Sequence, residues 1–459
     1  MGFNLLYWEG AFGTALDTWV GPLYLSGLAG ELKVQLPLLA FITSLPWIGS
    51  VGQLLGLFAY QRFRSSKDYT IRVARVGRSL WFIPTFLAAA WAVRQAHGGA
   101  PFPRDTWFII LALTSFFASL LGGSTGMTWM SWIRELIPAE QRGRFFANKQ
   151  RFGMLAAVAA NAIAATWIGW KPHGYYLGYG VIAVLAIACG IASTFLLSRV
   201  AEPSAPKPDE GEPQIREPDR SVAPPTSHCA PPTSQRTPST PQYVRRQTQS
   251  FLESIQEPLH DPEFMRFATI AAAFNGSIQL ASPYFPYYFT RELGIPMSSV
   301  ALWTTLSSVG AFATAPTWGR RIDRAATPEA VLKYCAPVIA LSPLFYSFGS
   351  PSQIQLWAPF DYLLSGVTGS GLQLITTALL LKNTPKGRGP AYFALYAAMN
   401  GFAGATGTYL GGRFSAAAMP LGGFRALFLF STTARCGVVI WAGRSFDLVR
   451  RRNAASLKA

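Results

Sequence analysis

The sequence is poor in charged residues, and this shortage limits the class of protein that it can encode. Asp, Glu, Lys and Arg make up only 13% of the 459 residues, whereas a soluble domain carries about 25%. Hydrophobic residues make up 50% of the chain. The composition therefore favours a membrane protein over a set of soluble domains.

Cysteine and histidine are also scarce, and the few that occur form no metal or redox motif. The four cysteines include no CxxC pair, and none of the four histidines has another histidine or a cysteine at helical spacing. A G-x-x-x-x-G-K-[ST] phosphate loop is missing as well, which argues against ATP-driven pumping. We predict no cofactor and no enzymatic activity, because a membrane enzyme would need clustered carboxylates, histidines or metal ligands near an interface.

The net charge of +17 does not indicate nucleic-acid binding, because of where the basic residues lie. They fall in short loops between apolar stretches, which is the pattern of membrane topology and not of a binding face.

Long apolar stretches recur along the whole chain. About 20 apolar residues cross a bilayer as a helix. On that criterion we predict twelve transmembrane spans, with edges uncertain by a few residues, at about 4–28, 36–60, 76–95, 106–130, 152–170, 176–198, 264–289, 298–318, 331–349, 354–381, 391–412 and 422–443. The first stretch has no basic residues before it, so we predict a membrane helix there and not a cleaved signal peptide.

Alternate loops are rich in Lys and Arg, and this asymmetry predicts the orientation. The connections after spans 2, 4, 8 and 10 and the end of the chain are basic, whereas those after spans 1, 5 and 7 are poor in basic residues. Since basic loops stay on the cytoplasmic side, both termini are predicted to be cytoplasmic. We expect a monomeric integral protein of a bacterial plasma (inner) membrane.

The middle of the chain differs in kind from the rest. Residues 201–262 hold 13 of the 33 prolines, and such a segment cannot bury enough apolar surface to fold. We predict a disordered cytoplasmic linker there, between an N-terminal six-helix bundle (1–200) and a C-terminal six-helix bundle (263–446), with a basic cytoplasmic tail (447–459).

The two predicted bundles resemble each other. Setting Pro138 on Pro385 places Phe145 on Tyr392 without a gap. The match falls at the same position in each half, which indicates an internal duplication.

Two short motifs then suggest a family. The connection after span 8 contains Gly319, Arg320, Arg321, Asp323 and Arg324 in the order GRRIDR, and the end of span 2 has GLFAYQRFR from Gly56. With the span count and the linker, these resemble the major facilitator superfamily of secondary transporters. That family carries G-x-x-x-D-R/K-x-G-R-R/K between helices 2 and 3 and a degraded copy between helices 8 and 9. The first-half copy departs from the pattern, since Tyr60 stands where the acid belongs.

The resemblance implies an all-α membrane protein of two six-helix bundles joined by a cytoplasmic loop. It also gives the motif residues a gating role. A carboxylate is attracted to the positive end of a helix, so Asp323 could pair with a neighbouring helix start, or with Arg142 or Arg144, when the cytoplasmic ends close together. The alternative is that Asp323 only pairs with adjacent arginines in a solvated turn.

Charged residues inside the spans are candidate functional groups, because they are costly in hydrocarbon and tend to face a cavity or a partner. Asp17 lies near the middle of span 1, Glu9 nearer its cytoplasmic end, and Arg435 in the middle of span 12. Asp17 could bind a cationic group or carry a coupling proton, since desolvation favours the neutral carboxyl. A structural pair is the alternative for each of the three.

Neutral polar groups inside the spans form a second set of candidates. Asn275 and Gln279 are four residues apart and share a helix face; Asn161, Gln373 and Asn400 lie in spans 5, 10 and 11. The resemblance places several of these helices beside a central cavity, but interhelical hydrogen bonding explains them equally well.

Two functions remain open on the sequence alone. The first is a secondary transporter that moves a small solute by alternating access, with protons as the coupling ion. The second is a non-transporting member of the same fold, such as a membrane assembly factor or sensor. The lipid bilayer is a partner in both cases, and no nucleic acid is expected in either.

Overall fold

A computed structural model describes most of the chain. It covers residues 2–31, 34–59, 63, 66–97, 104–137, 142–169, 174–200, 255–324, 329–385, 389–418, 420 and 422–456. Within these ranges all regular structure is helical and no strand occurs. The all-α prediction is therefore confirmed for the described part of the chain.

The first half consists of nine helices. They are α1 (Gly2–Val20), α2 (Pro22–Glu31), α3 (Leu36–Gly49), α4 (Gly52–Ala59), α5 (Ser66–Ser79), α6 (Phe82–Ala96), α7 (Arg104–Leu136), α8 (Arg142–Gly169) and α9 (Gly174–Ser198), counted over the described residues.

The second half continues the order. Its helices are α10 (Pro262–Gln279), α11 (Met297–Arg324), α12 (Glu329–Leu341), α13 (Leu344–Phe348), α14 (Pro351–Lys382), α15 (Gly389–Ala417) and α16 (Phe424–Ser456). An irregular segment of 3-10, α and π turns, residues 282–292, follows α10.

Five stretches of the described chain are long and apolar enough to cross a membrane. They are Leu36–Gly56, Thr106–Gly126, Gly180–Ser198, Pro351–Lys382 and Phe424–Ser445. In the described residues, eleven of the twelve predicted spans fall on a helix or on a pair of consecutive helices, and span 264–289 falls on α10 and the irregular segment after it. By length and hydropathy only these five qualify. The count of twelve stays a prediction.

Proline and glycine explain why several spans are interrupted. Pro22 opens α2 directly after Gly21. Pro283 and Pro286 lie in the irregular segment after α10, where their missing N–H groups break the helical ladder. The helices are therefore interrupted where the first predicted span of each half approaches the far side of the bundle.

Capping fixes the start of the longer helices. The side chain of Asp261 accepts from the backbone N–H groups of Glu263 and Phe264 at 3.1 Å each, with Pro262 in the first turn of α10. Ser350 and Gln353 form a reciprocal capping box at the start of α14.

Glycine allows the helices within each half to cross closely. A Cβ at Gly52 or Gly56 would collide with the carbonyl of Leu120 or Ser124, so α3–α4 lie directly against α7. In the second half a Cβ at Gly366 would collide with the Ser307 carbonyl, where α11 crosses α14. The same pair of predicted spans, second with fourth and eighth with tenth, packs backbone to backbone in both halves.

The duplicated aromatic position has equivalent surroundings in the two halves. Phe145 is buried near the start of α8, with its ring centroid 5.4 Å from that of Tyr7 near the start of α1. Tyr392 is buried near the start of α15, 4.7 Å from Phe264 near the start of α10. In each half an aromatic pair therefore ties the first predicted span to the fifth. We call this end of the bundle, where α1 and α10 begin, the terminal end, and the opposite end the far end.

The halves contact each other along two helix pairs, α3 with α15 and α8 with α11. On the first pair Gly401 and Gly404 face Trp47, and the Ser50 hydroxyl donates to the Trp47 carbonyl at 2.7 Å and to the Ala397 carbonyl at 3.2 Å. One hydroxyl is therefore shared between the two halves.

At the far end the two halves close over a buried core, which we call the far gate. It joins Tyr24, Leu25, Ala29 and Val34 of the first half to Tyr287, Tyr288, Met297 and Val300 of the second half. The Tyr287 hydroxyl donates to the Val34 carbonyl at 3.1 Å. Two buried hydroxyls of this region, on Ser26 and Tyr288, have no hydrogen-bond partner in the described part of the chain.

At the terminal end the described contacts between the halves involve more exposed side chains. The Gln150 side chain donates to that of Gln373 at 3.3 Å, and the Arg151 guanidinium lies 5.5 Å from the ring centroid of Phe312. The far end is thus closed by a buried aromatic core, whereas the terminal end is joined through half-buried and exposed polar groups.

Three predicted edges fall inside helices. The predicted loop before span 5 is wrong at Arg142 and Arg144, because α8 begins at Arg142; a helix can project beyond the apolar run that sets the predicted edge. Helix α16 runs on to Ser456, past the predicted end of the second bundle at 446. Residues 255–262 of the predicted linker are described and are helical at 255–260, whereas 201–254 lie outside the described residues.

Candidate functional site

A network of charged side chains around one buried acid occupies the terminal half of the first bundle. Glu9 of α1 is 6% exposed. Its carboxylate accepts from the Lys149 ammonium of α8 at 3.0 Å and lies 3.7 Å from the Arg78 guanidinium of α5. The Ser193 hydroxyl of α9 lies 3.1 Å from the Glu9 carbonyl and 3.3 Å from its carboxylate. One acid therefore joins four helices.

The two cations of this network have further partners. Arg78 donates to the Thr194 hydroxyl at 2.6 Å and to the Gly190 carbonyl at 3.5 Å. The Lys149 ammonium lies 3.9 Å from the ring centroid of Trp129, a cation–π contact. These partners hold both cations at the bundle interior.

Asp17 completes the network as its exposed member. It lies two helical turns beyond Glu9 on α1, within electrostatic reach of Arg78 and Glu9, and its side chain is exposed. At 100° per residue, Gly10 and Gly13 lie on nearly the same face of α1 as Asp17. We define the charge network as Glu9, Asp17, Arg78 and Lys149, two acids and two bases that balance.

Three neutral candidates have hydrogen bonds to neighbouring helices or to their own helix. Asn161 is buried and its side-chain oxygen accepts from the Tyr24 hydroxyl at 2.8 Å, which fastens α8 to α2. The Asn275 side chain donates to the Asn400 carbonyl at 3.0 Å, and that of Asn400 donates to the Tyr396 carbonyl at 3.0 Å. The structure thus brings Asn275 and Asn400 together.

The two glutamine candidates are placed differently. Gln279 follows Asn275 by one turn of α10 and is half-buried. Gln373 is exposed and accepts from Gln150 across the two halves. Of the neutral candidates, Gln373 alone makes a described hydrogen bond between the halves.

Arg435 acts as a clamp on the backbone. It is 4% exposed and donates to the carbonyls of Ser277 (3.4 Å), Ile278 (3.1 Å) and Ile339 (2.9 Å). Helices α10, α12 and α16 are joined by this one guanidinium. Its geometry is that of the structural alternative in the sequence analysis, because its described hydrogen bonds all go to backbone oxygens.

Asp361 of α14 is a polar group that the sequence analysis missed. One of its oxygens, Oδ2, accepts from the Ser342 hydroxyl at 2.9 Å and from the Tyr346 hydroxyl at 2.8 Å. Arg435 lies within electrostatic reach, but the two form no salt bridge among the described residues.

Arg78 and Lys149 were also missed as site residues. Asp361 and Arg78 lie inside predicted spans 354–381 and 76–95, so the cost of a charge in hydrocarbon should have marked them. Lys149 was assigned to a loop because the apolar run of span 5 begins later than its helix. The available signal was the pair formed by Glu9 in the first predicted span and Arg78 in the third, an acid and a base that both interrupt apolar runs.

The motif residues are only partly described. Gly56 is a packing residue against Ser124, whereas nothing lies within 4 Å of a Cβ at Gly319. Arg320 donates to the Thr317 hydroxyl at 3.5 Å, and Arg321 lies 5.2 Å from the ring centroid of Trp318. The side chains of Asp323, Arg324, Arg142 and Arg144 lie outside the described residues, so the predicted latch stays a prediction.

Solved structures show which fold this arrangement of helices belongs to. A bacterial homologue of the iron transporter ferroportin in an inward-facing state matches with a TM-score of 0.65 at 16% identity, covering 96% of this chain and 98% of the other. An outward-facing structure described in the same words matches with a TM-score of 0.58 at 16% identity, covering 97% and 99%. A D-xylose-proton symporter matches with a TM-score of 0.63 at 14% identity, covering 96% and 95%.

Sequence comparisons give the family. No curated protein sequence matches the chain. The model of the Major Facilitator Superfamily matches residues 8–281 and 265–443. At these identities the solved structures establish the fold alone, but the family model spans most of the chain. This all-helical membrane-type chain belongs to the major facilitator superfamily, a family of transporters.

Proposed function

We propose that this protein is a secondary active transporter, which carries a small solute across a bacterial plasma membrane by alternating access and uses protons as the coupling ion. Asp17 is the residue that exchanges the proton. The observation that carries this proposal is the charge network, in which an exposed acid lies within electrostatic reach of a half-buried arginine that is itself 3.7 Å from the Glu9 carboxylate.

The charge balance gives the coupling its physical basis. With both acids ionised, two negative and two positive groups cancel. A proton on Asp17 leaves one positive charge in excess in a poorly solvated site, where charges interact strongly. Arg78 then turns more fully to Glu9, or an anionic group of the solute takes the place of the lost charge. Proton and solute occupancy are thereby linked.

The contacts between the halves support alternating access. The far gate is buried and aromatic, and the terminal end is joined through half-buried Gln150 and exposed Gln373. The inward-facing comparison structure has the higher TM-score of the two states. We therefore propose that this is a conformation open toward the terminal end, and that the outward-facing state forms when the far gate separates.

The solute remains open within the class of small molecules. Two of the solved structures that match are described as a bacterial homologue of the iron transporter ferroportin and as a D-xylose-proton symporter, and at such low identity neither cargo transfers to this chain. A panel of sugars, nucleosides, metabolites and divalent cations is the appropriate screen.

Transport in proteoliposomes tests the proposal. We expect solute uptake driven by an imposed pH gradient, with proton movement reported by an entrapped pH dye. Asp17→Asn should abolish gradient-driven accumulation but retain exchange of labelled for unlabelled solute. Asp68→Asn is the matched control, because Asp68 forms an exposed ion pair with Arg72 (2.8 Å) that contributes little.

Two results would refute the proposal. Unchanged gradient-driven accumulation in Asp17→Asn would remove Asp17 from the coupling step. Failure of every solute to move, in the presence of intact folded protein, would favour the non-transporting alternative.

The orientation is part of the proposal and has its own test. Both chain termini are placed in the cytoplasm, which makes the terminal end cytoplasmic. Single cysteines at exposed Arg320 and exposed Glu292 lie at opposite ends of α11 and of the segment before it. In a cysteine-free background, an impermeant maleimide added to intact cells should label Glu292→Cys and not Arg320→Cys; equal labelling would contradict the topology.

A further inference from the structure

A groove of about 580 Å³ lies on the second half between α13 and the first turns of α14. Its exposed aromatic lining consists of Phe345, Phe348, Trp357 and Phe360. Both helices belong to apolar segments of the described chain, so these rings face lipid when the protein is in a bilayer. The volume lies within the range of about 300–1,000 Å³ that is common for small-molecule sites.

One carboxylate lies at the base of this groove. Asp361 is a lining residue and is half-buried. Both of its described hydrogen bonds, from Ser342 and Tyr346, go to Oδ2. The second oxygen, Oδ1, receives no hydrogen bond from the described residues and remains available to an occupant of the groove.

The nearest arginine does not satisfy this carboxylate. Arg435 uses its guanidinium on three backbone carbonyls and forms no salt bridge with Asp361. Arg425 donates to the carbonyl of Gly349, a lining residue, at 3.3 Å, but it does not itself line the groove. Asp361 is therefore the one charged side chain among the described lining residues.

Depth makes the unpaired oxygen costly. Asp361 lies ten residues into α14 from Pro351, or about 15 Å along the helix axis at 1.5 Å per residue, which is about half of the roughly 30 Å hydrocarbon thickness. An acid at that depth needs a partner, and aromatic faces also attract cations.

We propose that this groove binds a hydrophobic amine from the bilayer, with Asp361 as its counter-ion. The protonated nitrogen donates to Asp361 Oδ1, the aromatic rings of Trp357 and Phe360 flank the cation, and the apolar tail lies along the lipid-facing wall. The site is separate from the charge network on α1, α5 and α8, and it does not depend on the proposed transport function.

Photolabelling of the full-length protein in nanodiscs of zwitterionic lipid tests this site. The probes are three twelve-carbon chains that carry the same diazirine and end in a primary amine, a hydroxyl or a phosphate. We expect saturable labelling of the peptides around Phe345 and Trp357 by the amine alone. Loss of one charge-assisted hydrogen bond in Asp361→Asn should lower the amine affinity about tenfold or more.

Two further variants separate binding from folding. Asp361→Glu keeps the charge and should keep saturable labelling. Trp357→Leu keeps the acid, removes one aromatic wall, and should weaken the amine about twofold to fivefold, as expected for one cation–π contact. Asp68→Asn, at an exposed ion pair, should label as the unmodified protein does.

Three outcomes would overturn the proposal. The hydroxyl probe could label the groove as saturably as the amine, which would make it a lipid-tail crevice. The phosphate probe could label best, which would make it a headgroup site at Arg425. Asp361→Asn could retain full amine affinity, which would remove Asp361 as the counter-ion.

Discussion

The two halves of the molecule treat buried charge in different ways. In the first half, Glu9 meets two cationic side chains, Lys149 and Arg78, so acid and base are joined directly. In the second half, Arg435 binds backbone carbonyls and Asp361 binds hydroxyls, and the two charges are not in contact. The first arrangement pairs the acid with its bases, whereas the second leaves Oδ1 of Asp361 without a hydrogen bond from the described residues.

The difference indicates that the two halves have different roles. Side-chain pairs can exchange partners when a proton or solute arrives, whereas backbone carbonyls are fixed by the helices that carry them. We therefore expect the first half to hold the responsive site and the second half to supply a rigid frame.

Glu9→Gln tests this comparison with the largest expected effect. It leaves Lys149 and Arg78 as partly buried cations without this acid, and breaking a buried pair costs roughly 3–5 kcal/mol. The free energy of unfolding, measured by titration with sodium dodecyl sulfate, should fall by about that amount. The double variant Glu9→Gln with Lys149→Met should recover part of the loss; a loss below ~1 kcal/mol in the single variant would show that the network is solvated.

Arg435→Lys is the corresponding test of the second half. An ammonium cannot reach three carbonyls on two different helices as a planar guanidinium does, so we expect a loss of roughly 2–3 kcal/mol in the free energy of unfolding. Arg425→Lys, at an exposed single hydrogen bond, is the control and should change stability by less than ~0.5 kcal/mol. Full retention of stability in Arg435→Lys would contradict the clamp.

Asp361→Asn sharpens the comparison between the two acids. The amide oxygen still accepts from Ser342 and Tyr346, so the loss should be only ~1 kcal/mol, well below that of Glu9→Gln. Asp361→Leu should cost more, because both hydroxyls then lose their acceptor. A larger loss for Asp361→Asn than for Glu9→Gln would reverse the assignment of the responsive half.

The smallest expected effects lie at the far gate, where the halves meet. Tyr287→Phe removes the hydrogen bond to Val34 and should favour opening, by ~1 kcal/mol. Tyr288→Phe removes a buried hydroxyl that has no described partner, and should favour closure by a similar amount. Each variant is combined with Ser26→Cys in a cysteine-free background, and the rate of maleimide labelling at position 26 is measured. The rate should rise with Tyr287→Phe and fall with Tyr288→Phe; shifts of the same sign would refute this account of the gate.

The sequence supported the all-helical membrane fold and the family, because the lengths of the apolar runs and the positions of the polar segments can be read directly from the order of residues. Glu9, Asp17 and Arg435 could be marked in advance, since each interrupts an apolar run. Their partners could not be assigned: Lys149 lies in a part of α8 that is too polar to count as a span, and the hydroxyls that hold Asp361 come from a helix broken at Pro343.

The shared hydroxyl of Ser50 has a mechanical consequence. It lies where α3 of one half touches α15 of the other, and it reaches an acceptor on each side. A small rotation can lengthen one bond while it shortens the other, so the contact can serve as a pivot without ever becoming unsatisfied. We expect the two bundles to rotate about this contact, where Gly401 and Gly404 allow close approach. The displacement should increase toward both the terminal end and the far end.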